Sequence, residues 1–188
     1  MAYTPRRAPR KVTQASLERS ALAYLERFAA SAESLRRVLA RKVDRSARAH
    51  GDVDPAEGAT WIEALIERYR RLGLLDDRAY AEARTASLRR QGRSARAIAN
   101  RLTQKGVERE VIDEAMAPIR TSADELAAAA RLVRRRRLGP LRPRASRAEH
   151  REWDLAVLGR AGFSFEIARK VILVESDEAL DALIAEGG

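Results

Sequence analysis

A chain of 188 residues can form one domain or a few small ones, and with 45% apolar but only 5% aromatic residues its core must be built mainly from Ala, Leu, Val and Ile. Such residues beside abundant Arg and Glu favour helix, and the absence of Cys excludes disulfides and thiolate chemistry. The net charge of +10, with only four lysines among 37 basic residues, points to a polyanionic partner rather than to a particular fold.

Residues 1–13 carry Arg6, Arg7, Arg10 and Lys11 with Pro5 and Pro9 and no acid, which reads as a disordered basic arm able to reach a phosphate backbone. No apolar region follows Arg6-Arg7, so a secretory or twin-arginine signal is not expected. No run approaches the ~18 apolar residues of a membrane span, so no membrane partner is expected and the chain is expected to be cytoplasmic.

From Leu17 the spacing of Leu17, Ala21, Leu22, Tyr24, Leu25 and Phe28 predicts an amphipathic helix. Leu35, Val38 and Leu39 predict a shorter second one, capped by Ser31 or Ser34. Residues 44–58, with Gly51, Pro55 and several acids, read as a loop containing a helix start at Asp54-Pro55. The next helix runs through Trp61, Ile62, Leu65, Ile66, Tyr69 and Leu72 until Gly73, which completes a first group at 14–73.

The second group, 74–120, is the clearest. Asp76 or Asp77 caps a helix with Tyr80, Ala81, Ala83 and Leu88 on one side, and Gln91-Gly92-Arg93 breaks it. Ser94 caps the next, where Ala95, Ile98, Ala99 and Leu102 form one stripe before Gly106 ends it in a left-handed turn. Val111, Ile112, Ala115 and Met116 mark a third short helix.

A third group is expected at 121–174. Ser122 to Glu125 resembles a capping box opening a helix that ends in Arg134, Arg135, Arg136 and Arg137, stopped by Gly139-Pro140 and Pro143. Ser146 to Glu149 resembles another, leading through Trp153, Val157 and Leu158 to Gly162, and Phe163-Ser164-Phe165 begins a last short helix. Residues 175–188 read as a C-terminal tail with a further helical turn or two.

The groups are related by register. A shift of 56 places Leu102 on Leu158, Gly106 on Gly162, Val107 on Phe163 and Val111 on Ile167, although it also sets Ile98 against Asp154. A shift of 63 backward places Ile98 on Leu35, Leu102 on Leu39 and Lys105 on Lys42. The expected fold is therefore all-α, an elongated tandem array of three three-helix repeats.

Candidate chemistry is sparse. Asp76-Asp77 is read as helix capping rather than a carboxylate pair, His50 and His150 lack second ligands at metal-site spacing, and no phosphate loop or nucleophile elbow occurs. Trp61 and Trp153 are expected in the core. No cofactor, metal or enzymatic activity is expected, since a hydrolase would need a pocket that the sequence does not reveal. What remains is charge: Arg89, Arg90 and Arg93 gather before the Ser94 helix, Arg96 and Arg101 lie away from its apolar stripe, and Arg134, Arg135, Arg136 and Arg137 surround a helix end. Part of that last run offsets the helix dipole, while planar guanidinium forks also suit phosphate or carboxylate. These nine arginines are the candidate partner- or DNA-binding residues.

Leu74-Leu75-Asp76-Asp77-x-x-Tyr80-Ala81, with Gly92-Arg93-Ser94, Ile98-x-x-x-Leu102-x-x-Lys105-Gly106-Val107 and Ile112-x-x-Ala115-Met116, closely resembles the central repeat of the RecX family, regulators of the RecA recombinase. Gly162-Phe163-Ser164-Phe165 matches the family's third-repeat signature, and Tyr80 stands where the family usually has Phe. The resemblance covers about Ala15 to Val174. It implies a non-enzymatic, monomeric modulator of DNA repair, recombination and the SOS response. Such a protein binds the RecA filament on single-stranded DNA and inhibits its assembly, ATPase and coprotease activity, with weak electrostatic contact to the strand. The alternative is a stand-alone helical nucleic-acid-binding protein, in which the second helix of a unit reads a groove.

Overall fold

The computed structural model describes residues 10–51 and 53–187, so the first nine residues of the expected basic arm, Arg6 and Arg7 included, lie outside the described residues. Among the described residues there are ten α-helices and no strand: α1 (Gln14–Leu25), α2 (Ala32–Ala49), α3 (Pro55–Arg71), α4 (Asp77–Arg90), α5 (Ala95–Gln104), α6 (Arg109–Met116), α7 (Ser122–Arg136), α8 (Arg147–Arg160), α9 (Phe165–Ile172) and α10 (Asp177–Glu186). The helices divide between two compact units. One runs to Tyr80 and takes in Lys105–Val107; the other holds Ala81–Gln104 and the chain from Glu108 onward.

In the first unit, Leu17 and Ala21 of α1, Leu35, Leu39 and Val43 of α2, and Ile62, Leu65, Ile66 and Tyr69 of α3 share one core, in which each buried Leu, Ile or Val side chain stabilises by about 1.5–3 kcal/mol. The end of the expected arm is not disordered. The Val12 amide donates to Ser46 Oγ at 2.8 Å, and Thr13 caps α1 through a reciprocal pair with Ser16. α1 is shorter than the apolar spacing suggests: it ends at Leu25, so Phe28 lies beyond it and is 51% exposed, and Leu22 within the helix is itself 40% exposed.

The expected 44–58 loop is also corrected. α2 continues to Ala49 because Val43 and Ser46 extend its buried face, and α3 already includes Gly58. A Cβ at Gly58 would fall 2.5 Å from Val43 Cγ1, so this glycine lets α2 and α3 approach closely inside helices. Ser31, not Ser34, caps α2, and Ser31 Oγ also donates to the Lys105 carbonyl at 2.5 Å. The two aspartates separate in role: Asp76 caps α4 by accepting from the Ala79 amide, whereas Asp77 accepts from the Ala32 amide at 2.8 Å and so ties the start of α4 to the start of α2. Gly106 is left-handed at φ 72°, and a Cβ there would collide with the Glu33 side chain.

In the second unit α7 is central. Ala127, Ala128, Ala129 and Ala130 are all fully buried, and their small side chains let α9 and α10 pack closely on it. The residues matched by register have matching environments. Ile98, Leu102 and Leu158 are wholly buried, and Gly162, like Gly106, has a positive φ. Asp154, set against Ile98 by the shift, is buried too; its carboxylate accepts from the Gly139 amide at 2.8 Å and takes the Arg142 guanidinium in a bidentate pair.

Several local expectations move by a residue or change meaning. The cap of α7 is Thr121, paired with Asp124, one residue before the expected box, and Glu125 instead accepts from Arg89 and the Ala95 amide. Ser146 precedes α8 but makes no side-chain cap; its hydroxyl donates to the Pro143 carbonyl. Trp153 is 52% exposed rather than in the core, with Arg142 stacked 5.3 Å from its ring. α10 exceeds a turn or two: Leu180 is fully buried in the core of this unit.

Candidate polyanion interface

The turn between α4 and α5 is what brings the two predicted arginine groups together. Gly92 has φ 71°, and a Cβ on it would come 2.8 Å from the Leu132 amide nitrogen and 2.9 Å from the Ala128 carbonyl, so only glycine lets this turn lie directly on the α7 backbone. Arg93 is thereby delivered beside the last turns of α7. The Arg135 guanidinium donates to the Gln91 carbonyl of the same turn at 2.7 Å. Ser94 caps α5 through the Ala97 amide and donates to the Ala161 carbonyl at 2.8 Å, which brings the end of α8 to the same place.

The result is a groove of about 210 Å³ lined by Gly92, Arg93, Leu132, Arg135, Arg136, Val157, Arg160 and Ala161. Four of the lining residues are arginines and none is a carboxylate. Arg93, Arg135, Arg136 and Arg160 are each exposed, so their forks can take up phosphate or carboxylate oxygens in paired hydrogen bonds. The apolar floor of Leu132 and Val157 lowers competition from water.

The remaining candidates divide. Arg90, Arg96 and Arg101 are exposed but line none of this groove, Arg96 lying close to Gly162. Arg89 departs from the expected basic edge: it is 6% exposed and donates to Glu125 at 2.6 Å, to the Arg93 carbonyl at 3.2 Å and to the Ile119 carbonyl. Glu125 also accepts from the Ala95 amide at 2.9 Å, so this buried pair fastens the start of α5 to α7. Arg134 is held by Asp177 and Asp181 of α10, and the hydrogen bond to Asp177, then that to Asp181, pushes its pKa up. Arg137 occupies a left-handed conformation at φ 53° and closes α7, its own amide and that of Leu138 reaching back to the Arg134 and Val133 carbonyls. It, rather than Gly139, ends the helix.

Arg160 carries no signal in the sequence pattern. The 56-residue shift sets it against Gln104, and only the tertiary contact of α8 with the Ser94 turn reveals it. No group of three or more His, Cys, Asp or Glu residues able to hold a metal ion occurs among the described residues, and no helix among them is long and apolar enough to cross a membrane.

Comparison with known proteins gives a consistent assignment. A family model described as the second three-helix domain of RecX matches residues 76–116. Regulatory protein RecX of Myxococcus xanthus is 48% identical over 165 residues, covering 87% of this chain and 88% of that one. Its counterpart from Agrobacterium fabrum is 32% identical over 164 residues, covering 87% and 85%. The crystal structure of RecX from Lactobacillus salivarius shares the fold at 18% identity, with a TM-score of 0.58 over 90% of this chain and 97% of that one. With a tandem three-helix fold, the central signature and relatives matched over most of their length, the chain belongs to the RecX family.

Proposed function

We propose that this protein is a non-enzymatic regulator of RecA, acting as a cytoplasmic monomer that binds the RecA filament on single-stranded DNA and inhibits its assembly and ATPase. The observation that carries the reading is the convergence of Arg93, Arg135, Arg136 and Arg160 on one groove free of lining carboxylates, in a chain whose relatives are named regulatory proteins. Such a groove suits the carboxylates of an acidic protein surface or the phosphates of a strand, and a RecA-coated strand offers both. No step of this function requires a bond to be made or broken, and the arginines serve by charge and geometry alone.

Binding of the full chain to RecA-coated and bare single strands tests the proposal. Much tighter, salt-sensitive binding to the coated strand is expected, with the Arg135→Ala/Arg136→Ala/Arg160→Ala variant weakened on it. Equal affinity for coated and bare strands would instead favour the stand-alone nucleic-acid-binding protein.

A further inference from the structure

A second basic cleft lies in the first unit, remote in sequence from the arginine groove. Val12 is pinned to Ser46, which lays the segment before α1 along α2, and the space left beside them is about 590 Å³. Arg10, Arg19, Arg27, Lys42 and Arg45 line it, and no carboxylate does. Lys42 of α2 is steadied across the cleft by donating to Ser20 Oγ of α1 at 2.5 Å.

Aromatic rings stand in the same wall. α1 ends at Leu25 and exposes the residues after it, so Phe28 is half open to solvent although the apolar spacing assigns it to the buried face. Tyr24 and Phe28 form a tilted pair with ring centres 5.2 Å apart, and the Arg27 guanidinium lies 5.7 Å from the Phe28 ring centre. Tyr24 is partly buried against the core of this unit, and Phe28 presents the open ring. A ring beside a run of cations matches a nucleic acid, whose phosphates meet the cations while an unstacked base lies on the ring. Duplex bases are already stacked on one another and cannot use the ring.

We propose that this cleft is a single-strand nucleic-acid site, with Phe28 and Tyr24 as the stacking wall and Arg19, Arg27, Lys42 and Arg45 as the phosphate-facing groups. The site deepens the filament reading, since the strand is the filament's own, yet its test needs no RecA.

The full chain is titrated against a labelled oligothymidylate, and against a duplex of equal length, by fluorescence anisotropy at low salt. Tighter binding to the single strand is expected. Phe28→Ala should weaken it about fivefold or more, while Phe28→Trp should retain affinity and show indole quenching when the strand is added. Lys42→Gln with Arg45→Gln should lower the salt slope by about 0.7 for each phosphate that no longer meets a cation. Melting by circular dichroism checks that each variant remains folded, which the exposure of Phe28 favours. The site is refuted if folded Phe28→Ala binds as the wild type does, if the duplex binds as tightly as the strand, or if bare oligonucleotide is not bound. If strand binding behaves as expected but RecA is unaffected by the protein, the cleft stands and the filament reading falls.

Discussion

Arg89 and Arg90 are adjacent, identical in type and opposite in role. Arg89 sits with Glu125 inside the second unit, and removing it leaves a largely buried carboxylate short of its counter-ion. Arg89→Ala is expected to cost about 3 kcal/mol, against at most about 0.5 kcal/mol for the exposed Arg90→Ala, as read from urea denaturation. Equal effects would mean that the Arg89–Glu125 pair does not hold the fold. At Arg137 the sign reverses. Its left-handed backbone suits glycine, so Arg137→Gly should raise stability by roughly 1 kcal/mol although a charge is removed. A loss of stability there would show that the arginine side chain anchors the end of α7.

Helices and their pairings show how far local pattern reaches. Leu102 was legible from its i, i+3, i+4 spacing and is wholly buried; Leu102→Asp should cost more than about 3 kcal/mol, and an unchanged melting curve would remove the stripe assignment. The caps at Asp76 and Ser94 and the stop at Gly106 were legible too, because each depends on neighbours within a few residues. Gly58, Asp77, Glu125 and Arg160 were not. Each is defined by a partner 15 to 67 residues away or by a helix not adjacent in sequence, as Asp77 is by Ala32, and periodicity carries no record of such pairs. Phe28 misled because its spacing continues an apolar face beyond the point where the helix ends.

Arg36 illustrates a pairing between elements with a pH signature. It bridges Glu33 on its own helix α2 and Glu63 on α3, and its hydrogen bonds are the largest cause holding both carboxyls below the usual glutamate range. A depressed carboxylate pKa stabilises the fold above the unfolded-state value and loses that contribution as pH falls through the folded-state value. The first unit should therefore weaken below about pH 4, and Arg36→Gln should flatten that acid limb in pH-dependent melting. An acid limb identical in the variant would assign it to other groups. Solvent reaches both glutamates, so the effect is expected to be modest.

For the whole molecule, the excess of +10 is not spread as featureless solvation. Part is neutralised in structural pairs such as Arg134 with Asp177 and Asp181, and part is concentrated in two carboxylate-free clefts, one in each unit. Replacing all of Arg134–Arg137 would therefore mix two effects, loosening α10 while removing partner-facing groups. Arg93, Arg135, Arg136 and Arg160 make the cleaner set. The most direct measurement is a titration of this protein into RecA hydrolysing ATP on single-stranded DNA, with wild type and the Arg93→Ala/Arg135→Ala/Arg136→Ala/Arg160→Ala variant in parallel. Wild type should slow turnover at concentrations below those of RecA protomers, since one blocked site in a filament affects many subunits, and the folded variant should need much more protein for the same effect. RecA turnover untouched by wild type even at molar excess and low salt would contradict the regulatory reading. Full inhibition by the variant would contradict the placement of its binding surface.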